Sequence, residues 1–352
     1  MPSFDDILGQ ERAVGVLRRA LGSGRLHHAW IFHGPAGVGK RTTAEAFAAL
    51  LLDPTAAPNL AGELQVDPGS AAQRLLSAGS HPDLHVVNKE LAEFSRDDGT
   101  RRGKQRSIPI EVVREFLIEP ATRSAGDGAA GARARRVFIV DEAHLMQGPS
   151  ANAALKILEE PPAGVVFILI TDDESALLPT IRSRCQRVAF TPLDGAAMRA
   201  WMQASGLQLD PAQEAWLLEF ADGSPGRVAT ALETGLYEWA GVVEPMLAQF
   251  ERGRSPEALG QTISSLVDAW AKAEVEKKDN ASKDIANKAG ADHMFNLLAN
   301  WARRRLRAAA ERGADTGPAA AAVDAIDDAQ RRLETNVNMT LVFDGLAARL
   351  GS

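Results

Sequence analysis

The residues that could do chemistry begin at Gly34. Gly34-Pro35-Ala36-Gly37-Val38-Gly39-Lys40-Arg41-Thr42 follows the pattern G-x-x-x-x-G-K-[ST] at every fixed position but the last. In such a loop the glycines let consecutive backbone N–H groups turn toward phosphate oxygens, and the lysine reaches the β- and γ-phosphates. The hydroxyl after the lysine ligates Mg²⁺. Here that position is Arg41, which cannot ligate a metal and brings a positive charge of its own. Thr42 lies one residue on, about 100° around a helix of 3.6 residues per turn. The loop is equipped to hold phosphate and poorly equipped to hydrolyse it.

Further along, the apolar run Val137-Phe138-Ile139-Val140 ends in Asp141-Glu142-Ala143-His144. In phosphate-loop proteins an acid at such a strand tip holds the hydrated metal, and its neighbour can orient water. The other reading, a solvated strand end, loses weight because a phosphate loop precedes it. Thr171 ends a second apolar run, Val165 to Ile170, where it could meet a γ-phosphate or simply close a strand. Thr180-Ile181-Arg182-Ser183-Arg184-Cys185 then precedes the last strand-like run. A planar guanidinium there suits the phosphate of another molecule. Gly223-Ser224-Pro225-Gly226-Arg227 sets Arg227 at the start of a later helix.

These residues need elements to carry them. Short apolar runs at Trp30–His33, Leu84–Val87, Val137–Val140, Val165–Ile170 and Arg187–Phe190 alternate with helical patterns, as in a parallel sheet covered on both faces. After the loop, Ala44, Phe47, Ala48 and Leu51 recur at helical spacing. Ser150 heads another helix, with Ala151, Ala154, Leu155 and Leu158 on one face, ended by Pro161-Pro162. Beyond Thr191 no strand is expected. Trp201, Trp216, Phe220 and the Gly223–Gly226 turn suggest a small helical domain. From Tyr237 the chain reads as Ala- and Leu-rich helix, with a charged loop near Lys277 to Lys288 and an Ala/Gly/Asp stretch near Glu311 to Ala322.

The bulk numbers bound the class. The 352 residues are 45% hydrophobic and 24% charged, with a formal net charge of −7, which disfavours coating nucleic acid by overall charge. Basic clusters at Arg101–Arg106, Arg133–Arg136 and Arg303–Arg307 are local exceptions. No apolar run suits a bilayer, the N-terminus does not read as a secretion signal, and a cytoplasmic location is expected. Cys185 is the single cysteine, so no disulfide and no four-thiolate zinc site can form within the chain.

The loop, Asp141-Glu142-Ala143-His144, Asn152-Ala153-Ala154-Leu155-Lys156-Ile157-Leu158-Glu159-Glu160-Pro161-Pro162, Ser183-Arg184-Cys185 and Gly-Ser-Pro-Gly-Arg, in that order, resemble the bacterial clamp-loader branch of the AAA+ superfamily. The resemblance is strong from about residue 5 to 230 and continues weakly to Asn336-Val337-Asn338-Met339-Thr340-Leu341. Within the branch, Thr-Ile-Arg-Ser-Arg-Cys and the degraded loop at Arg41 look like the delta-prime group. The resemblance implies an α/β P-loop AAA+ domain with a five-stranded parallel sheet (residues 1–191), a small helical lid domain (192–235) and an all-α collar domain (236–352). It implies a cofactor-binding set of Gly34, Gly37, Gly39, Lys40, Thr42, Asp141, Thr171 and Arg227, around a degenerate site for ATP and magnesium. Glu142 and Arg184 take the catalytic roles, Arg184 as a finger supplied to a neighbour's site. Implied partners are gamma/tau motor and delta subunits in a heteropentamer, the sliding clamp and primed DNA, with no membrane. One departure stands out: the family's zinc module would fall between Asp53 and Ser80, where there is no cysteine, so no zinc is expected. Two rival readings remain. One is an active gamma/tau-type ATPase, which turnover by the isolated chain would reveal. The other is a different AAA+ machine such as a branch-migration motor, which co-purifying subunits would reveal.

Overall fold

The five apolar runs become five parallel strands. A computed structural model describes residues 1–23, 26–60, 62–103, 106–123, 131–250, 252–254, 256, 258–277, 282–335 and 337–351. Its main sheet contains β1 (Ala29–His33), β2 (Leu84–Val87), β3 (Arg136–Val140), β4 (Val165–Thr171) and β5 (Gln186–Ala189), in the order β2-β3-β4-β1-β5. Every β4 residue is buried, and β1 and β3 each have four buried residues. Strands covered on both faces have no polar side to alternate with, which is why they read as unbroken apolar runs. The edge strand β5 differs, with Val188 buried and Gln186, Arg187 and Ala189 exposed. It also begins one residue earlier than expected.

Register decides what the sheet can build. His33 pairs with Thr171 and with Ala189, while Val140 pairs with Leu169 and with Val87. Parallel pairing therefore brings the carboxyl ends of all five strands to one edge. The order reverses at β1, because β4 and β5 flank it, and in open α/β sheets such a switch point is where ligands bind.

Helices α1 (Glu11–Gly22), α2 (Lys40–Leu52), α3 (Pro149–Glu159) and α4 (Gly195–Ala204) belong to the same unit. The expected stripe of α2, Ala44, Phe47, Ala48 and Leu51, is fully buried. On α3, Ala151, Ala154 and Leu158 are buried and Leu155 packs at the cluster's margin. Where the family's zinc module would fall, a buried carboxylate ties the chain together. Asp53 accepts hydrogen bonds from Thr55 N (2.8 Å) and Oγ1 (2.7 Å), Ser70 Oγ (2.6 Å) and Gln73 Nε2 (3.0 Å). Between these points run a two-stranded ribbon (Ala57–Pro58 with Leu64–Gln65) and the helix Ala71–Ser77, capped by Ser70.

The chain forms two compact units, one of residues 1–207 and 222–226, the other of residues 208–221 and 227–352. This differs from the three segments expected: α4 joins the sheet-containing unit, and the helix at Pro211–Ala221 joins the second. Leu193 N donates to Gly223 O at 2.8 Å, which holds the Asp222–Gly226 turn within the first unit.

The second unit is all helical among its described residues: α5 (Pro211–Ala221), α6 (Pro225–Thr234, from Arg227 on), α7 (Leu236–Phe250), α8 (Leu259–Lys277), α9 (Lys283–Glu311), α10 (Gly317–Glu334) and α11 (Met339–Leu350). The charged loop is shorter than expected, because α9 already starts at Lys283, and residues 278–281 of that loop lie outside the described residues. The Ala-rich end of the second expected break is also helical. Pro318 opens α10, where a missing N–H costs nothing, and alanine favours helix. Phe295, Leu297, Leu298 and Trp301 are buried, so they serve the core of this unit. Trp270 is partly buried.

The Asp53 node makes a test of stability. Burial pushes its carboxyl upward, but the bonds from Ser70, Thr55 and Gln73 outweigh it and hold the group below the usual carboxylate range. A depressed folded value contributes stability above the unfolded value near 3.8, lost as pH falls through the folded one. Asp53→Ala should cost about 2–4 kcal/mol at pH 7, since it strands several buried donors. In urea denaturation, the gap between wild type and Asp53→Asn should close as pH drops below about 4.

Candidate functional site

At the tip of β1 the backbone turns sharply. Gly34 has φ 142°, and a Cβ there would lie 2.2 Å from Phe190 O, so a side chain cannot be accommodated. Gly37, with φ 73°, lies against the Gly223–Gly226 turn: Gly226 N donates to Gly37 O at 2.9 Å, and Ser224 Oγ donates to Ala36 O at 2.9 Å. A Cβ on Gly37 would sit 2.9 Å from Gly226 Cα. Gly39 then caps α2. Gln10 holds the base of the loop. Buried, it donates from Nε2 to Val38 O (3.1 Å) and Thr191 O (2.7 Å) and accepts from Thr191 N (3.3 Å).

The charges within the loop are already partnered. Lys40 is buried, and its Nζ donates to Gly34 O (2.7 Å), Pro35 O (2.6 Å) and Asp172 Oδ1 (2.6 Å). Three donors meet three acceptors. Arg41 donates from Nε to Glu45 Oε1 at 2.6 Å and from Nη1 to Asp141 Oδ2 at 2.8 Å. Glu142, in a left-handed conformation at φ 48°, turns its carboxylate to Lys89 Nζ at 2.8 Å. Thus each acid at the tip of β3 has a cation of the chain's own on it. These residues do not fit a magnesium ion: the hydroxyl ligand is missing, and a guanidinium stands against the aspartate that would face the metal.

The other expected residues lie as follows. Thr171 is buried at the end of β4; its Oγ1 donates to Asp173 O (2.8 Å), accepts from Asp173 N (3.1 Å) and lies 3.3 Å from His144 Nδ1. Thr42 is exposed in the first turn of α2, while the next hydroxyl, Thr43 Oγ1, donates to Gly39 O. Arg184 is about one-third exposed, with Nη2 2.6 Å from Glu159 Oε1 at the end of α3 and Nη1 donating to Thr180 O at 2.9 Å. Beside it, burial pushes the Cys185 thiol up to about 12, which makes it a packing residue and not a nucleophile. Arg227 belongs to the second unit, its guanidinium 4.8 Å from the centroid of Phe220.

The basic clusters are partly structural. Arg133 donates to Ala56 O, Arg136 lies 3.5 Å from Asp83, and Arg101 pairs with Asp98. Lys104 and Gln105 of the first cluster lie outside the described residues, as does Asn336. Sequence reasoning missed Lys89, Asp172 and Gln10. Lys89 and Asp172 carry a weak signal, since each lies within two residues of a strand's carboxyl end. Gln10 carries none.

A glycine-rich loop between strand and helix, an acid pair on a strand tip and a switch point at β1 define an α/β P-loop domain of the AAA+ class, followed by a unit that is all helical among its described residues. A family model described as DNA polymerase III, delta subunit, matches residues 9–194. The chain belongs to that family. The delta′ subunit of DNA polymerase III from Pseudomonas aeruginosa is 38% identical over 200 residues, which cover 56% of this chain and 53% of that protein. The gamma/tau subunit from Mycobacterium tuberculosis is 31% identical over 237 residues, 66% of this chain and 36% of that protein. The matched stretch thus spans about half of the first of these relatives and about a third of the second. Among solved structures, a DNA polymerase III gamma subunit-related protein from Thermotoga maritima aligns with TM-score 0.46 and 16% identity, covering 96% of this chain and 98% of that one. No helix among the described residues is long and apolar enough to cross a membrane.

The Arg41–Asp141 pair yields a direct test. In the wild type, binding of a fluorescent ATP analogue should not depend on Mg²⁺. Arg41→Thr frees Asp141 and restores the hydroxyl, so Mg²⁺ should then tighten binding about tenfold or more. The pair is partly exposed, and the substitution should cost about 1 kcal/mol of stability or less.

Proposed function

We propose that this chain is a delta-prime-like clamp-loader subunit of the DNA polymerase III holoenzyme. In that role it supports ATP-dependent loading of the sliding clamp on primed DNA and hydrolyses little or no ATP itself. Its partners are gamma/tau motor and delta subunits in a heteropentamer, and the helices from Leu236 onward serve as the collar through which the subunits assemble. The observation that carries the reading is the Arg41 guanidinium on Asp141 at 2.8 Å. An active motor needs that aspartate for its metal. The names of the relatives, delta′ and gamma/tau, support the assembly.

Arg184 is the group through which an inert subunit acts on a neighbour. Its ion pair with Glu159 is half open to solvent, and exposed pairs of this kind contribute only about 0.2–1 kcal/mol. A γ-phosphate presented by a neighbouring subunit can therefore take the guanidinium from Glu159 at little cost. Fingers supplied in trans contribute roughly 10³–10⁵ in rate in comparable NTPases.

Reconstitution with the motor and delta subunits tests this. The isolated chain should show no Mg²⁺-dependent turnover above background. Arg184→Ala should leave its melting temperature and assembly unchanged while the complex loses most of the turnover at one site. Arg184→Lys should restore only part, because an ammonium lacks the planar fork. Motor-like turnover by the isolated chain would favour the gamma/tau-type ATPase, and full activity of an assembled Arg184→Ala complex would remove the finger.

A further inference from the structure

Asp172 follows Thr171, the last residue of β4, and the register sets Thr171 beside His33 at the root of the phosphate loop. Of the three acceptors on Lys40 Nζ, Gly34 O and Pro35 O are neutral, and only Asp172 Oδ1, at 2.6 Å, is charged. The other acids at this edge are on other cations, Asp141 on Arg41 and Glu142 on Lys89. The two ends of the Lys40–Asp172 pair also differ. The lysine side chain is 4% exposed and the aspartate side chain 47%. Behind them, the first backbone N–H groups of α2 have no preceding carbonyls to bind. Thr43 N is the first to return into the helix, donating to Gly39 O at 2.9 Å. The loop thus offers backbone donors to an anion while a carboxylate of the chain holds its ammonium.

To an ammonium, a carboxylate oxygen and a phosphate oxygen are interchangeable acceptors of a charge-assisted hydrogen bond. An ammonium has three protons, and all of those on Lys40 are in use. A β- or γ-phosphate therefore reaches Nζ only by displacing an acceptor. The two carbonyls are fixed in the backbone of the loop. Asp172 is a side chain already half in water, so it is the acceptor that can leave. We infer that Asp172 is a built-in competitor for phosphate, which holds Lys40 and lowers the affinity of the loop for nucleoside di- and triphosphates. A site that is competent in only one molecule in about ten binds about tenfold more weakly. The lysine of such a loop serves the β- and γ-phosphates, and backbone N–H groups serve the α-phosphate. A nucleoside monophosphate therefore does not meet the competitor. Asp172 is in this sense a positioning residue, acting only through Lys40. Its role rests on the reading of residues 34–42 as a phosphate loop, and not on Arg184 or on any turnover.

The test is fluorescence anisotropy of ribose-labelled ATP, ADP and AMP with the full chain in EDTA. Asp172→Asn keeps the shape and an acceptor oxygen and removes the charge, so it should tighten ATP and ADP about tenfold and leave AMP unchanged. Asp172→Ser should give the same gain, which keeps the test valid if the first variant folds poorly. Asp173→Asn removes an equal charge one residue on, from a carboxylate that accepts from Ser175 N and Oγ and does not touch Lys40. It should leave all three affinities as they are in the wild type. Because the measurement uses neither metal nor partner subunits, motor-like turnover or an idle Arg184 would not change these readings. Three results would overturn the role of Asp172. One is ATP binding no tighter in the folded Asp172 variants than in the wild type, undetectable binding in all of them included. The second is a gain shared equally by AMP, and the third is a gain of the same size in Asp173→Asn.

Discussion

The candidate site of the first unit is organised around one ion pair. Asp141 sits where a phosphate-loop protein presents its metal-facing acid, and the guanidinium of Arg41 occupies the cation's side of it. Two elements must be right for this to happen. The parallel register of β3, β4 and β1 carries Asp141 to the same edge as the loop, and α2 must begin at Lys40 so that its second residue faces β3. The same substitution that removes a metal ligand supplies the charge that makes the metal unnecessary for holding the acid.

Neighbouring contacts follow from this balance. Lys40 is satisfied by two loop carbonyls and Asp172. Glu142 is held by Lys89, so the group that would orient water is neutralised as well. Gln10 and the Ser224–Gly226 turn hold the loop's backbone through hydrogen bonds to the carbonyls of Ala36, Gly37 and Val38. A loop restrained in this way has its backbone carbonyls and its charges satisfied by the chain itself. Arg184, by contrast, is held by a pair with Glu159 that is open to solvent.

Much of this was legible in the residues, for physical reasons. Buried parallel strands have no polar alternation, so β1, β3 and β4 appeared as apolar runs almost to the residue; β5, half exposed at the sheet edge, slipped by one. The loop showed itself because its glycines are required by geometry at Gly34 and Gly37. Arg41 was recognised as a fault, yet its partner was not, since Asp141 lies 100 positions away and only the sheet register joins them. Lys89, Asp172 and Gln10 were not legible for the same reason: each is a single polar residue whose role comes from what the fold brings beside it. Which core a helix joins is not written in its own periodicity, and the structure puts α4 with the first unit and α5 with the second. The buried node at Asp53 was invisible because a carboxylate among Thr55, Ser70 and Gln73 reads as an ordinary polar loop.

The central claim is that a guanidinium holds the metal's place, and Mn²⁺ reports on that place directly. Electron paramagnetic resonance of the wild-type chain, titrated with Mn²⁺ in the presence of a non-hydrolysable ATP analogue, counts ions held at the site. The account predicts no Mn²⁺ bound to the protein beyond what the analogue holds in solution. One Mn²⁺ per chain, lost on Asp141→Asn, would contradict it.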